Sequence, residues 1–208
     1  MEMTQRRGPG ALKGTRRRIV GIASDLFSER SYLGASMNDI AERLGITKPA
    51  LYYHFPSKIG LYAEVLDEVF VRLRAVMAEP TSVESPPGQL HRLLKNYLEF
   101  GMQEKNLINA LVVRLAPDES DLRSRIAAFR QELTDRLQPV VEKTTAAGLP
   151  QGTDSAQVAE MLVALMDGLL VEYSFLDKPL DVEKVTDQIV ALMGLCNAPG
   201  TAAGDVHE

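Results

Sequence analysis

The sequence predicts an all-α protein in which a small group of short helices precedes a larger set of longer ones. Three observations carry that prediction. The chain has no Trp and few strand-type runs but is well supplied with Leu, Ala, Met, Glu and Arg, which favour helix. Apolar residues recur at helical spacing through most segments. Gly, Pro and Ser, Thr or Asp stand where those segments must begin and end. With 208 residues, 45% of them hydrophobic, the chain has material for one large domain or for a small and a larger one.

Residues 1–14 include Gly8, Pro9, Gly10 and Gly14 and are expected to form a flexible basic arm. Thr15 is then an N-cap for a helix from Arg16 to about Glu29, with Ile19, Ile22, Ala23, Leu26 and Phe27 on its apolar stripe. Arg16, Arg17 and Arg18 crowd the first turn of that helix, the wrong sign for its dipole, which points either to an external anion or to chance surface charge. Ser36 opens a second helix, Met37 to Leu44, with Asp39 near capping-box spacing. Ile40, Ala41 and Leu44 face inward, Gly45 ends the helix and Ile46 plugs the turn. Thr47 caps a third, short helix with Pro49 in its first turn, and Pro56 stops it. Two short helices joined by a tight glycine turn make a helix-turn-helix.

Ser57 caps a fourth helix that runs through Leu61, Val65, Leu66, Val69 and Leu73 to about Met77. Residues 79–88 read as a loop, followed by helices at about 88–104, 106–115, 118–147, 154–176 and 182–196, with Pro139 expected to kink or split the third of these. Residues 198–208 read as a disordered tail. The resulting division is an arm at 1–14, a helix-turn-helix domain at 15–60, a larger domain at 61–197 and the tail.

Charge is divided along the chain. Residues 1–60 hold 10 Lys or Arg against 5 Asp or Glu, and the rest hold 13 against 23, so a net −5 conceals a basic head of +5 and an acidic body of −10. That asymmetry fits a head that meets a polyanion. On a helical wheel of residues 47–55, Leu51 and Phe55 share the inward face and Tyr53 points away from it. Lys48, Ala50 and Tyr53 suit contact with base edges, while Thr47, Tyr52, His54 and Lys58 suit the phosphate rim. The plain alternative is that Tyr52 and His54 pack against neighbouring helices.

The stretch RRRIVGIASDLFSERSYLGASMNDIAERLGITKPALYYHFPSKIGLYAEVL resembles the DNA-binding domain of the TetR family of transcriptional repressors over about residues 15 to 66. The resemblance implies a homodimer on palindromic double-stranded operator DNA, and a larger C-terminal domain that binds a small molecule and thereby spreads the two heads. It implies phosphate contacts for Ser36, Thr47, Tyr52, His54 and Lys58, and base-facing positions for Asn38, Lys48, Pro49, Ala50 and Tyr53. Ala50 is small, so base specificity does not follow. Activation in place of repression stays open, as does a helical effector-binding or interaction protein that no longer binds DNA.

The helix DSAQVAEMLVALMDGLLVEYSF is apolar nearly all round, as expected of one buried on two sides. With 182–196 it resembles the two-helix contribution to a four-helix dimer interface in that family, Gly168 permitting close approach; the alternative is a helix at the centre of a monomeric bundle. Asp167 inside it is either paired in the interface, or faces a pocket, or sits at an exposed end, and pairing is favoured. Candidate effector contacts are Tyr97, Phe100, Leu107, Leu111, Phe129, Leu133, Met161, Leu165 and Tyr173, which suit an apolar or amphipathic molecule. Arg114 pairs either with an effector anion or with a neighbouring carboxylate. The sequence leaves open a drug, a fatty acid, an acyl-CoA thioester or an aromatic metabolite.

Only His54, His91 and His207 are histidines, with no partner at metal-ligand spacing, and no phosphate-cradling glycine motif or nucleophile elbow is present. No enzyme activity, metal or cofactor is therefore expected. The single cysteine, Cys196, rules out an intrachain disulfide and fits a reducing cytoplasm. No apolar stretch follows the basic N-terminus as in a secretory signal, and the richest apolar run, MLVALMDGLLV, is too short for a membrane span.

Overall fold

The computed structural model describes residues 9–78, 85–105, 120–144, 154–176 and 178–195, and no strand occurs among them. The helices are α1 (Pro9–Gly34), α2 (Met37–Leu44), α3 (Lys48–His54), α4 (Lys58–Met77), α5 (Pro86–Gln103), α6 (Ser120–Thr144), α7 (Ser155–Phe175) and α8 (Val182–Leu195). They fall into two compact units, Met1–Ala75 with Gly101–Ala127 and Val76–Phe100 with Ala128–Glu208. This partition differs from a border at residue 60, because α4 continues within the first unit to Ala75.

The first helix corrects the sequence reading. It begins at Pro9, so residues 9–14 are helical and Thr15 is an interior residue rather than the N-cap. Proline is well tolerated at a first helical position. The early start also removes the dipole conflict at Arg16, Arg17 and Arg18, which lie about two turns inside the helix. Near its far end Ser31 leaves the helical region at φ 61 and ψ 169, a conformation strained for a side chain other than glycine. Tyr32, next in the chain, stacks 4.7 Å from Tyr62 and 5.9 Å from Phe27, and Lys58 lies over its ring at 4.3 Å. This aromatic cluster supplies contacts that offset the strain. Of the expected stripe, Ile19, Ala23, Leu26 and Phe27 are buried and Ile22 is half-buried.

The turn between α2 and α3 follows from its caps. Ser36 Oγ accepts from the Asp39 amide at 3.2 Å, and Asp39 Oδ2 accepts from the Ser36 amide at 2.8 Å, a reciprocal capping box. At the other end Gly45 takes φ 66, which glycine adopts without a Cβ penalty. The Gly45 amide donates to Glu42 O at 3.0 Å and the Ile46 amide to Ala41 O at 3.1 Å, the two bonds of a Schellman close. Ile40, Ala41 and Leu44 then face the core with Leu51 and Phe55.

In the second unit α5 starts at Pro86, two residues before the expected end of the loop. Ser85 caps it, accepting from the Gln89 amide at 2.9 Å through its carbonyl, and the prolines occupy a turn whose amides have no partner in any helix. The expected helix at 106–115 lies outside the described residues. Pro139 does not split α6, which continues from Ser120 to Thr144. Pro139 and Asp135, whose carbonyl loses its partner, are both exposed, so water can satisfy that carbonyl. The body core comes from Leu90, Leu94 and Leu98 of α5, Leu137 and Val141 of α6, and one face of α7.

The Asp39 carboxyl is held below its ordinary value, chiefly by the Ser36 hydroxyl and then by the Ser36 amide. Ser36→Ala is expected to destabilise the protein by about 1 kcal/mol and to move the Asp39 midpoint upward. Chemical denaturation and an NMR titration of Asp39 measure the two effects. A depressed carboxylate stabilises above its unfolded pKa and ceases to do so as pH falls through the folded one, so the variant's deficit should shrink on acidification.

Candidate nucleic-acid interface and effector region

Helix α3 has two distinct sides. Leu51 is fully buried and Phe55 nearly so, whereas Lys48, Pro49 and Ala50 are exposed together with Tyr52 and Tyr53, the last 76% exposed. His54 is half-buried and meets the Tyr53 ring edge-on at 5.3 Å. Lys48 Nζ lies 6.0 Å from the centre of the Tyr52 ring, a cation–π distance that brings a positive charge and a phenol to the same edge. The helix is anchored at its start by Thr47, whose carbonyl accepts from the Leu51 amide at 3.1 Å and whose hydroxyl lies 3.4 Å from the Ala50 amide.

Its far end is held by Arg16, for which the sequence left open an external anion or chance surface charge. Arg16 Nη1 donates to the His54 carbonyl at 2.9 Å, and its guanidinium sits 4.2 Å from the centre of the Phe55 ring. The same guanidinium engages Glu64 of α4 through both remaining nitrogens, Nε at 3.1 Å. One cation thus joins α1, the C-terminal end of α3 and α4. Arg18 reaches the Leu44 carbonyl at the end of α2, at 3.4 Å. Arg16 is therefore committed internally. Nothing in the local sequence identifies Glu64, 48 residues away, as its partner.

The remaining DNA-facing candidates are placed as follows. Asn38 and Ser36 are exposed at the start of α2, although the Ser36 hydroxyl is already bonded to Asp39 Oδ2 at 2.6 Å. Lys58 is half-buried above the Tyr32 ring, and burial lowers its pKa.

In the second unit Asp167 is paired. The Tyr97 hydroxyl donates to its Oδ1, and Arg130 Nη1 donates to its Oδ2. The pairing favoured for Asp167 is made within the chain, and its cation comes from α6, a partner invisible in the sequence. Tyr97, Phe100, Phe129 and Leu133 are buried and Tyr173 is half-buried. Met161 and Leu165 are not in that interior group: they are 66% and 46% exposed. The buried residues of α7 are Ala159, Leu162, Val163, Met166 and Leu170, and helical phase puts Met161 and Leu165 on another side. Leu107, Leu111 and Arg114 lie outside the described residues. An open depression of about 390 Å³ on α4, lined by Asp67, Glu68, Val71 and Arg72, shares no residue with the expected effector set. His91 of α5 lies beside Glu183 and Asp187 of α8, a grouping that no local spacing reveals.

Residues 19–65 match the family model described as bacterial regulatory proteins, tetR family. Residues 86–193 match the model for the C-terminal region of a BetI-type transcriptional repressor. The chain is 27% identical over 205 residues to the HTH-type transcriptional activator FasR of Mycolicibacterium smegmatis, covering 94% of this chain and 90% of that one. A transcriptional regulator of the TetR/AcrR family from Thermobifida fusca has a similar structure, with TM-score 0.61 and 26% identity over 86% of this chain and 96% of that one. The structure of AibR in complex with isovaleryl coenzyme A and operator DNA shares the fold, with TM-score 0.65 and 21% identity over 85% and 96%.

Burial raises the Tyr97 phenol to about 12, with Arg130 opposing the rise. A phenol near its ordinary value of 10.0 when unfolded loses its proton first in the unfolded chain, so stability falls as pH climbs between the two values. Tyr97→Phe is expected to flatten that alkaline loss, at a cost near neutrality of about 1 kcal/mol for the missing hydrogen bond. Denaturant midpoints recorded from pH 7 to 11 give both quantities.

Proposed function

Because this chain belongs to the TetR family of bacterial regulatory proteins, we propose that it is a ligand-responsive transcriptional regulator that binds a palindromic operator as a homodimer. In this reading it is a repressor, released when an apolar or amphipathic small molecule binds the C-terminal domain. The observation that carries it is α3, which buries Leu51 and Phe55 and leaves Lys48, Pro49, Ala50, Tyr52 and Tyr53 exposed. Small residues permit close approach to a major groove, and the basic and phenolic groups match base edges and phosphates. Asn38 at the start of α2 and the groups at Thr47, His54 and Lys58 extend that surface, whereas the hydroxyl and the amide of Ser36 are both spent on the capping box.

The repressor reading is supported by the BetI-type repressor match. The name of FasR as an activator favours a second reading with the opposite regulatory sign and the same DNA contacts. The isovaleryl coenzyme A in the AibR complex favours an acyl thioester among the candidate effectors. Tyr97, Phe100, Phe129 and Leu133 are the wall against which such a molecule would pack, with Tyr173 as a further candidate contact. Among the described residues no helix is long and apolar enough to cross a membrane, in keeping with a role on cytoplasmic DNA.

The dimer reading rests on the outer side of α7. Met161, Leu165 and Phe175 are exposed there, Leu192 is exposed on α8, and Gly168 has no atom within 4 Å of where a Cβ would stand. Exposed apolar groups at this density along one helix favour a protein partner, and a second copy of the chain supplies the same face.

A mobility shift with the DNA upstream of the protein's own gene tests the function. Sequence-preferring binding that weakens steeply with salt is expected, and its absence defeats the proposal. Tyr52→Ala is expected to weaken operator binding about tenfold, equivalent to about 1.4 kcal/mol, while circular dichroism stays unchanged. Lys48→Ala should also weaken operator binding and narrow the preference for operator over unrelated DNA. Leu165→Glu and Gly168→Arg place charge where the single chain has room, so both should give a folded monomer in light scattering. A dimer that survives both substitutions would remove this face as the interface.

A further inference from the structure

His91, Glu183 and Asp187 form a cluster used by neither the proposed DNA surface nor the candidate effector contacts. Glu183 and Asp187 are one turn apart on α8, so their carboxylates rise from one helix face. His91 Nε2 lies 3.1 Å from Asp187 Oδ1 and 3.8 Å from Glu183 Oε1. All three ligand atoms fall within 4.8 Å of one another. Metal–ligand bonds of about 2.0–2.2 Å separate tetrahedral neighbours by about 3.3–3.6 Å, so the spacing already approaches that of a bound ion. Rotation of the exposed Glu183 side chain can close the remaining gap.

Two neighbours orient these groups. Thr186 is fully buried, and its hydroxyl lies 2.8 Å from Val182 O, 2.9 Å from Glu183 O and 3.1 Å from His91 Nε2. The hydroxyl spaces the imidazole from α8, and on metal binding Nε2 exchanges this contact for the ion. Lys95 bonds Glu183 Oε2, which leaves Oε1 on the His91 side and keeps the carboxyl below its ordinary range. Two carboxylates against the single ammonium of Lys95 leave an excess of negative charge facing an incoming cation.

We propose that His91, Glu183 and Asp187 bind a first-row divalent transition-metal ion, with Zn²⁺ as its representative, and so tie α5 to α8. One imidazole with two carboxylates suits such an ion, whereas Ca²⁺ and Mg²⁺ prefer oxygen alone. Three protein ligands leave a fourth position for water on the exposed side. Binding takes Nε2 as a lone-pair donor.

Isothermal titration of the full chain with ZnCl₂ in a non-chelating buffer tests the site. One ion per chain is expected. His91→Ala and Asp187→Asn should each weaken binding about tenfold or more, since even groups that only support ligands cost that much. His54→Ala should bind as the parent does. Asp187 is exposed, so its variant retains the fold, and circular dichroism checks both. Failure to bind one ion per chain overturns the proposal. So does affinity that survives either His91→Ala or Asp187→Asn, which would mark an adventitious ion only.

Discussion

Seven residues of helix make too few internal hydrogen bonds to be stable in water, so the exposed face of α3 depends on what holds the helix at its two ends. At the N-terminal end the chain arrives through Gly45, whose positive φ closes α2, and Thr47 takes the first amides. At the C-terminal end Arg16 bonds the His54 carbonyl, stacks on Phe55 and is fixed by Glu64. Between those ends Leu51 is the one residue of the helix that is buried. With so few anchors the outward residues can be chosen for contact with a partner, and five in the stretch 48–53 are exposed.

The same logic governs the kink in α1. Ser31 occupies a backbone region that costs about 1–3 kcal/mol outside glycine, yet the kink lets Tyr32 join Phe27 and Tyr62 beneath Lys58. Tyr62 is almost completely buried, and burial raises its phenol well above the ordinary value. The Tyr62 ring belongs to α4, so the strained serine and the aromatic cluster together seat that helix against α1. In the acidic body the charges are managed by pairing. Asp167, set in the most apolar helix, is bonded by Tyr97 and Arg130, as a part-buried carboxylate requires.

Much of the head was legible because its determinants are local. Ser36 and Asp39, Gly45, Thr47 and Pro49 act within four residues of themselves, and the observed bounds of α2 match those read from the residues alone. The start of α1 was misread because Gly10 and Gly14 weaken helix propensity without abolishing it, and context overrode them. Pro139 was expected to interrupt α6, but a proline and its orphaned carbonyl on a solvent-facing side cost less than they would in a core. Met161 and Leu165 read as interior because hydrophobicity alone does not say which face of an all-apolar helix meets its own subunit.

The sequence by itself therefore determined the helical class, the caps and turn of the helix-turn-helix, the inward and outward sides of α3 and the family to which the chain belongs. Each follows from spacing along a few turns, where period and capping chemistry act at short range. Tertiary structure alone decided the partners: Glu64 for Arg16, Arg130 and Tyr97 for Asp167, and the approach of His91 to Glu183 and Asp187. Those pairs are separated by 37 to 96 residues. Which of the many charged side chains meet across such distances depends on how helices pack and in what rotation, and that is set by the whole core.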